Sequence, residues 1–150
     1  MSDDTADAWA AVRRRARQLA EAYDSRETDA VAAVGDFGGV GTDEGTPVVA
    51  VTVGRETADA LAGIDQTGTA WETTVHYADT ADGRLLLVEA VAADRSTAVV
   101  FAGGVGREAL RSAVAEPDDP LRTELRRLDG TVVFRLRHGT AAPFLEELGD

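Results

Sequence analysis

Between Asp4 and Asp24 the apolar residues Trp9, Val12, Ala16, Leu19 and Tyr23 recur at spacings of three and four, which predicts an amphipathic helix. Asp3, Asp4 and Asp7 fall at its start, where the helix dipole favours negative charge. DAVAAVGDF at 29–37 predicts a strand. TPVVAVTV at 46–53 predicts another, its nearly unbroken apolar run suiting a strand covered on both faces. RETADALAGI at 55–64 reads as a short helix, and the span from Gly54 to Thr69 is long enough for a crossover between parallel strands, which needs about a dozen residues. Segments 70–78, 83–92 and 96–102 predict three strands, and the short polar connections between them predict hairpins. A helix over 106–116 is stopped by Pro117. With Asp119 as cap and Pro120 at the first helical position, a second short helix is expected to run to Leu128. A turn and strand at 129–138 and about one helical turn in PFLEEL close the chain.

The resulting order, α-β-β-α-β-β-β-α-α-β-α, describes an α+β fold. It predicts a mixed, mainly antiparallel sheet of five to six strands with helices packed on it. No linker or low-complexity tract interrupts residues 1–150, which read as a single domain. The expected core is Val48, Val49, Val51, Leu86, Val88, Val99, Phe101, Val132 and Phe134, onto which Trp9, Val12, Leu19 and Tyr23 pack the first helix.

Charge changes the picture. The chain holds 27 acidic residues against 15 basic ones, a net charge of −12, and all the basic residues are Arg. Such a charge repels itself in the compact state. At about 1 M salt the Debye length shrinks to about 3 Å, and the repulsion is screened. The acidic start MSDDTADAW is unlike a signal peptide, and no apolar run approaches the roughly 18 residues of a membrane helix, so a soluble cytoplasmic protein without membrane contact is expected. Without Cys there is no disulfide, thiolate metal site or thiol nucleophile.

The lysine-free acidic composition is similar to that of halophilic archaeal proteins. The layout, ending in LRTELRRLDGTVVFRLRHGTAAPF, resembles a family of short haloarchaeal proteins of unknown function over nearly the whole chain. That resemblance brings no catalytic or binding residue with it. The opening order α-β-β-α-β-β-β-α is also similar to roadblock-type regulators of small GTPases, an analogy at the level of fold that does not settle function.

No chemical motif stands out. RRRAR at 13–17 reads as a solvated helix face, because phosphate binding falls steeply with salt, and no nucleic-acid partner is expected. His76 shares a strand face with Glu72, a pairing able to support acid–base chemistry, yet there is no G-x-S-x-G and the four Ser stand apart. His138, on the face of Val132, Phe134 and Leu136, reads as a hydrogen-bonded rim residue. Asp36, Asp43 and Glu44 lack the spacing of a calcium loop, and no metal or cofactor is expected. The glycine phrases FGGVG (37–41) and FAGGVG (101–106) read as turns. In the second, Gly103, Gly104, Gly106 and Arg107 are the residues a cofactor would use if a pocket were present, since a strand there leads into a helix N-terminus. The expectation is therefore a non-catalytic binding, regulatory or assembly module with a protein partner or self-association. The alternative is a small-molecule sensor or enzyme using the loop at 103–107.

The charge balance generates a prediction. Folding should require salt in the molar range, because screening relieves repulsion and strong salt reinforces apolar burial. Circular dichroism melts at about 0.1 M and about 3 M KCl test it; the same cooperative melt at both would refute it.

Overall fold

The computed structural model describes residues 3–66 and 68–148. The elements are α1 (Asp3–Asp24), β1 (Asp29–Phe37), β2 (Gly39–Asp43), β3 (Thr46–Thr52), α2 (Arg55–Ala62) and β4 (Trp71–Thr80). They continue as β5 (Gly83–Ala92), β6 (Thr97–Val105), α3 (Arg107–Ala113), β7 (Leu121–Arg126), β8 (Val132–His138) and α4 (Ala142–Leu145). The α+β class is as the pattern implies. In place of one sheet of five to six strands, however, there are two of four, ordered β1-β6-β5-β4 (sheet A) and β2-β3-β7-β8 (sheet B). Each is mixed: β1 runs parallel to β6 and β3 parallel to β7, and the other pairs are antiparallel. The sheets face each other across one apolar core, to which β3, β5, β6, β7 and β8 all contribute.

Glycine makes two sheets out of one predicted layer. FGGVG at 37–41 is a strand corner, not a turn. β1 ends at Phe37 beside Gly104, Gly38 donates its N–H to the Gly104 carbonyl at 2.7 Å, and the chain continues as β2 in the other sheet. Bends of this kind let one strand serve two packed sheets. A Cβ on Gly38 would lie 1.8 Å from the Ala50 carbonyl oxygen, so only glycine fits the corner. The second phrase is a strand as well. Gly103 lies in β6, where a Cβ would stand 2.5 Å from Val51 Cγ2 of the opposing sheet, and a Cβ on Gly104 would stand 2.8 Å from the Phe37 ring. Both glycines therefore make room for a neighbour rather than reverse the chain.

Residues 119–128 are the second correction. Leu121, Leu125 and Leu128 fit a helical stripe, but Leu121, Thr123 and Leu125 are buried and alternate with Arg122, Glu124 and Arg126, which is strand period. Leu128 lies in the following hairpin, 93% exposed. Asp119 Oδ2 accepts the Glu116 N–H across a turn instead of capping a helix. The segment containing α2 is also no crossover between parallel strands, since it carries the chain from β3 in sheet B to β4 in sheet A. The element order thus gains β2 and β7 over the expected one, departing further from the order on which the roadblock similarity rested.

The core otherwise matches expectation, except that Val48 is buried on the outer face of sheet B, that α1 packs on the opposite face of sheet A, and that Val133 takes the place of Val132. A register shift after Leu125 pairs Arg126 with Val132 and skips Val133, so Val133 is buried and Val132 turns half-exposed to the outer face. On the far side of sheet A, α1 lays Ala16 and Ala20 over Leu87, Val100 and Ala102, while Trp9 meets Phe37 with ring centroids 5.9 Å apart.

The corner generates a matched pair of predictions. Gly38→Ala should cost at least about 2 kcal/mol, because the clash is with backbone, whereas Gly41→Ala, with nothing within 4 Å of its Cβ, should change stability by less than about 1 kcal/mol. Denaturation at fixed high salt gives both values, and equal effects would remove the corner from the explanation.

Candidate functional site

Strand alternation builds the site. β7 turns Leu121, Thr123 and Leu125 inward, which sends Arg122, Glu124 and Arg126 to the outer face of sheet B. β8 adds Arg135 opposite Glu124 and Arg137 opposite Arg122. β3 contributes Ala50 opposite Glu124 and Val48 opposite Arg122, and β2 contributes Gly39 and Gly41 in the same two rows. An arginine wall thus rises beside a floor of small residues. The face lies open, because α2, α3 and α4 bury Ala58, Leu61, Leu110 and Phe144 in the inner core, while α1 covers sheet A. The floor and wall enclose a groove of about 830 Å³.

Glu124, 2% exposed, is the centre of the wall. Its Oε1 accepts from Arg126 Nε at 3.1 Å and Nη2 at 2.5 Å, and its Oε2 accepts from Arg135 Nε at 2.9 Å. Arg122 Nε lies 3.0 Å from Oε2, too poorly aligned for a hydrogen bond, while its Nη2 donates to Asp43 Oδ2 at 2.5 Å. Burial by itself would push the Glu124 carboxyl up; hydrogen bonds from Arg126 and Arg135 outweigh it and hold the group below the usual carboxylate range. The bond to Asp43 raises Arg122 further still. Arg126 Nη1 and Arg135 Nη1 and Nη2 make no hydrogen bond among the described residues. Arg122 and Arg137 stand directly opposite each other in the register, and Arg122 is paired with Asp43 and Glu124.

The residues singled out in the sequence lie elsewhere. Gly103 and Gly104 are buried under Val51 and Phe37, and Gly106 precedes the seven-residue α3. Arg107 Nη1 donates to the carbonyls of Thr80 and Gly83, which ties it to the β4–β5 hairpin. None of these four lines the arginine groove. His76 does pair with a carboxylate, but with Glu89 on β5, Nε2 to Oε2 at 2.7 Å, while Glu72 reaches Arg95 at 3.3 Å. Tyr23 donates to Glu89 Oε1 at 2.8 Å, and burial followed by that bond pushes its phenol up to about 12. Among the described residues no group of three or more His, Cys, Asp or Glu is placed to hold a metal. Arg84, fully buried, is tied to Asp79 and to the Phe144 carbonyl, and anchors α4. No helix among the described residues is long and apolar enough to cross a membrane.

Residues 1–146 match the model of a family of unknown function, DUF7529. No curated protein and no solved structure matches the chain.

His138 gives a pH prediction. It is 6% exposed, its Nε2 lies 3.0 Å from Thr123 Oγ1, and its ring meets Phe144 edge-on at 4.8 Å. Burial lowers it from 6.5 to about 4, so the native state holds it neutral. Between those values the unfolded chain takes up a proton that the native chain does not. Stability present above about pH 6.5 should therefore fall by about 3 kcal/mol as the pH drops to about 4. Thermal melts of wild type and His138→Gln across this window should differ in slope, the variant being flatter; parallel slopes would refute the assignment.

Proposed function

The chain belongs to that family of unknown function, and from its geometry we propose a non-catalytic binding module of a high-salt cytoplasm. Its open arginine face takes a small molecule bearing an oxyanion, either carboxylate or phosphate. One observation carries the reading: guanidinium groups with uncommitted N–H donors line a groove of about 830 Å³ on a sheet face that no helix among the described residues covers. That volume lies within the roughly 300–1,000 Å³ typical of ligand sites. Guanidinium presents paired donors that match an oxyanion in shape as well as charge, and Glu124 holds the fork in place before a ligand arrives.

The charge setting supports the same class. A chain at −12 repels anions in general, whereas in the groove Arg122, Arg126 and Arg135 balance Asp36, Asp43 and Glu124, so an anion meets less repulsion there than over the chain as a whole. Directional, partly shielded hydrogen bonds survive salt better than exposed charge pairs do. A nucleic-acid backbone fits poorly, since most of its affinity comes from counterion release, which molar salt removes. The lysine-free acidic composition supports a haloarchaeal habitat.

Nitrogen-15 NMR of the Arg Nε groups in about 2 M KCl tests the reading under screening conditions. Inorganic phosphate and succinate are titrated separately as the two sources of an oxyanion. Either should move the Arg126 and Arg135 signals, and Arg135→Gln should weaken binding about tenfold or more, the loss of a charge-assisted hydrogen bond. If neither anion moves these signals, the proposal fails.

A further inference from the structure

The edge of sheet A has few of the features that keep strand edges apart: Glu72 and Asp79 lie on it, and α4 packs beside it with Tyr77 donating to Glu147. β4 runs ten residues, pairs with β5 in unbroken register from Trp71 to Thr80, and contains no Pro, Lys or Arg. Short length, bulges, Pro and basic side chains are the usual protections. The other edges have them. β2 is only five residues long, β8 presents Arg135 and Arg137, and β1 carries a register shift and bends into sheet B. No residue of β4 is fully buried.

We propose that two copies of the chain associate through antiparallel pairing of their β4 edges, joining the two A sheets into one of eight strands. The backbone sets the register. Ala93 donates to the Ala70 carbonyl, so by alternation the even-numbered residues bond to β5. Trp71, Thr73, Val75, Tyr77 and Asp79 then turn their N–H and C=O groups to the open edge. A two-fold axis must bring these odd-numbered residues together.

Two central registers do so. Centring on Val75 sets Trp71 against the partner's Asp79. Centring on Thr74 sets Trp71 against the partner's Tyr77, Thr73 against the partner's Val75, and Glu72 against the partner's His76. Aromatic pairs are favourable cross-strand combinations, and the Val75 register sets no two aromatic residues together, which selects Thr74 as the axis. His76 already holds Glu89 through Nε2, and since a carboxylate only accepts, that nitrogen carries the proton. Its Nδ1 makes no hydrogen bond among the described residues. An apolar groove beside this edge, lined by Ala8, Ala11, Val12, Leu85 and Leu87, gives the second copy surface to cover.

Sedimentation of the full chain in about 2 M KCl should give twice its mass of 15.8 kDa. Thr73→Pro removes an N–H unused within one chain, so it should keep a cooperative melt and sediment as a monomer. Because the chain has no Cys, Thr74→Cys introduces a lone thiol. At a non-hydrogen-bonded pair on the axis, Cα atoms about 4.5 Å apart lie within disulfide reach, so mild oxidation should crosslink this variant far faster than Ala60→Cys on α2. A monomeric wild type overturns the proposal. So does a dimer in which Thr74→Cys crosslinks no faster than the control, whether or not Thr73→Pro folds.

Discussion

Everything in this fold depends on how closely the two sheets approach around Val51. That side chain points from β3 at the strand corner, and a Cβ on Gly35 or Gly103 would overlap it at 1.8 and 2.5 Å. With those positions bare, β1 and β6 of sheet A lie against β3 of sheet B, and the core between them can be filled by Val, Leu and a few Phe. Large hydrophobes are scarce in the sequence, and a thin interior is what such side chains can pack to native density. Composition and architecture are therefore one constraint: small core residues demand close sheets, and close sheets demand glycine where they touch.

The same approach decides which surfaces are left over. The corner between β1 and β2 leaves α1 to cover sheet A, while α2, α3 and α4 pack into the core beside the edge strands. The outer face of sheet B is then open, and β7 and β8 place their charged residues there because their inward positions are committed to the core. The arginine wall is in this sense a by-product of strand period. What makes it specific is Glu124: a carboxylate with almost no solvent access gathers Arg126 and Arg135 by hydrogen bonds and Arg122 by charge.

Much of this was legible in the residues. The helical spacing of Trp9, Val12, Ala16 and Leu19 marked α1, and apolar runs marked β1, β3 and the β4–β6 meander, because those signals are local. β2 escaped notice because it is only five residues long and the corner that leads into it rests on Gly38 fitting against Ala50 and Val51, distant in the order of reading. β7 was taken for a helix because Asp119 and Pro120 imitate a helix start, and only partners on β3 and β8 show the strand. That error concealed the groove, since Glu124 and its arginines share a face only when the segment is a strand. His76 was rightly placed beside a carboxylate, but on its own strand, because the diagonal neighbour Glu89 depends on a register that one strand cannot reveal.

The arginine wall contains no group that changes charge near neutral pH. Guanidinium keeps its proton across the whole physiological range, and Glu124 is held ionised by its neighbours. The potential inside the groove is consequently constant while the pH around it varies. Any acidity dependence in what settles there must come from the visitor: a phosphate monoester, whose second proton leaves near pH 6, would be held differently on the two sides of that value, and a simple carboxylate would not.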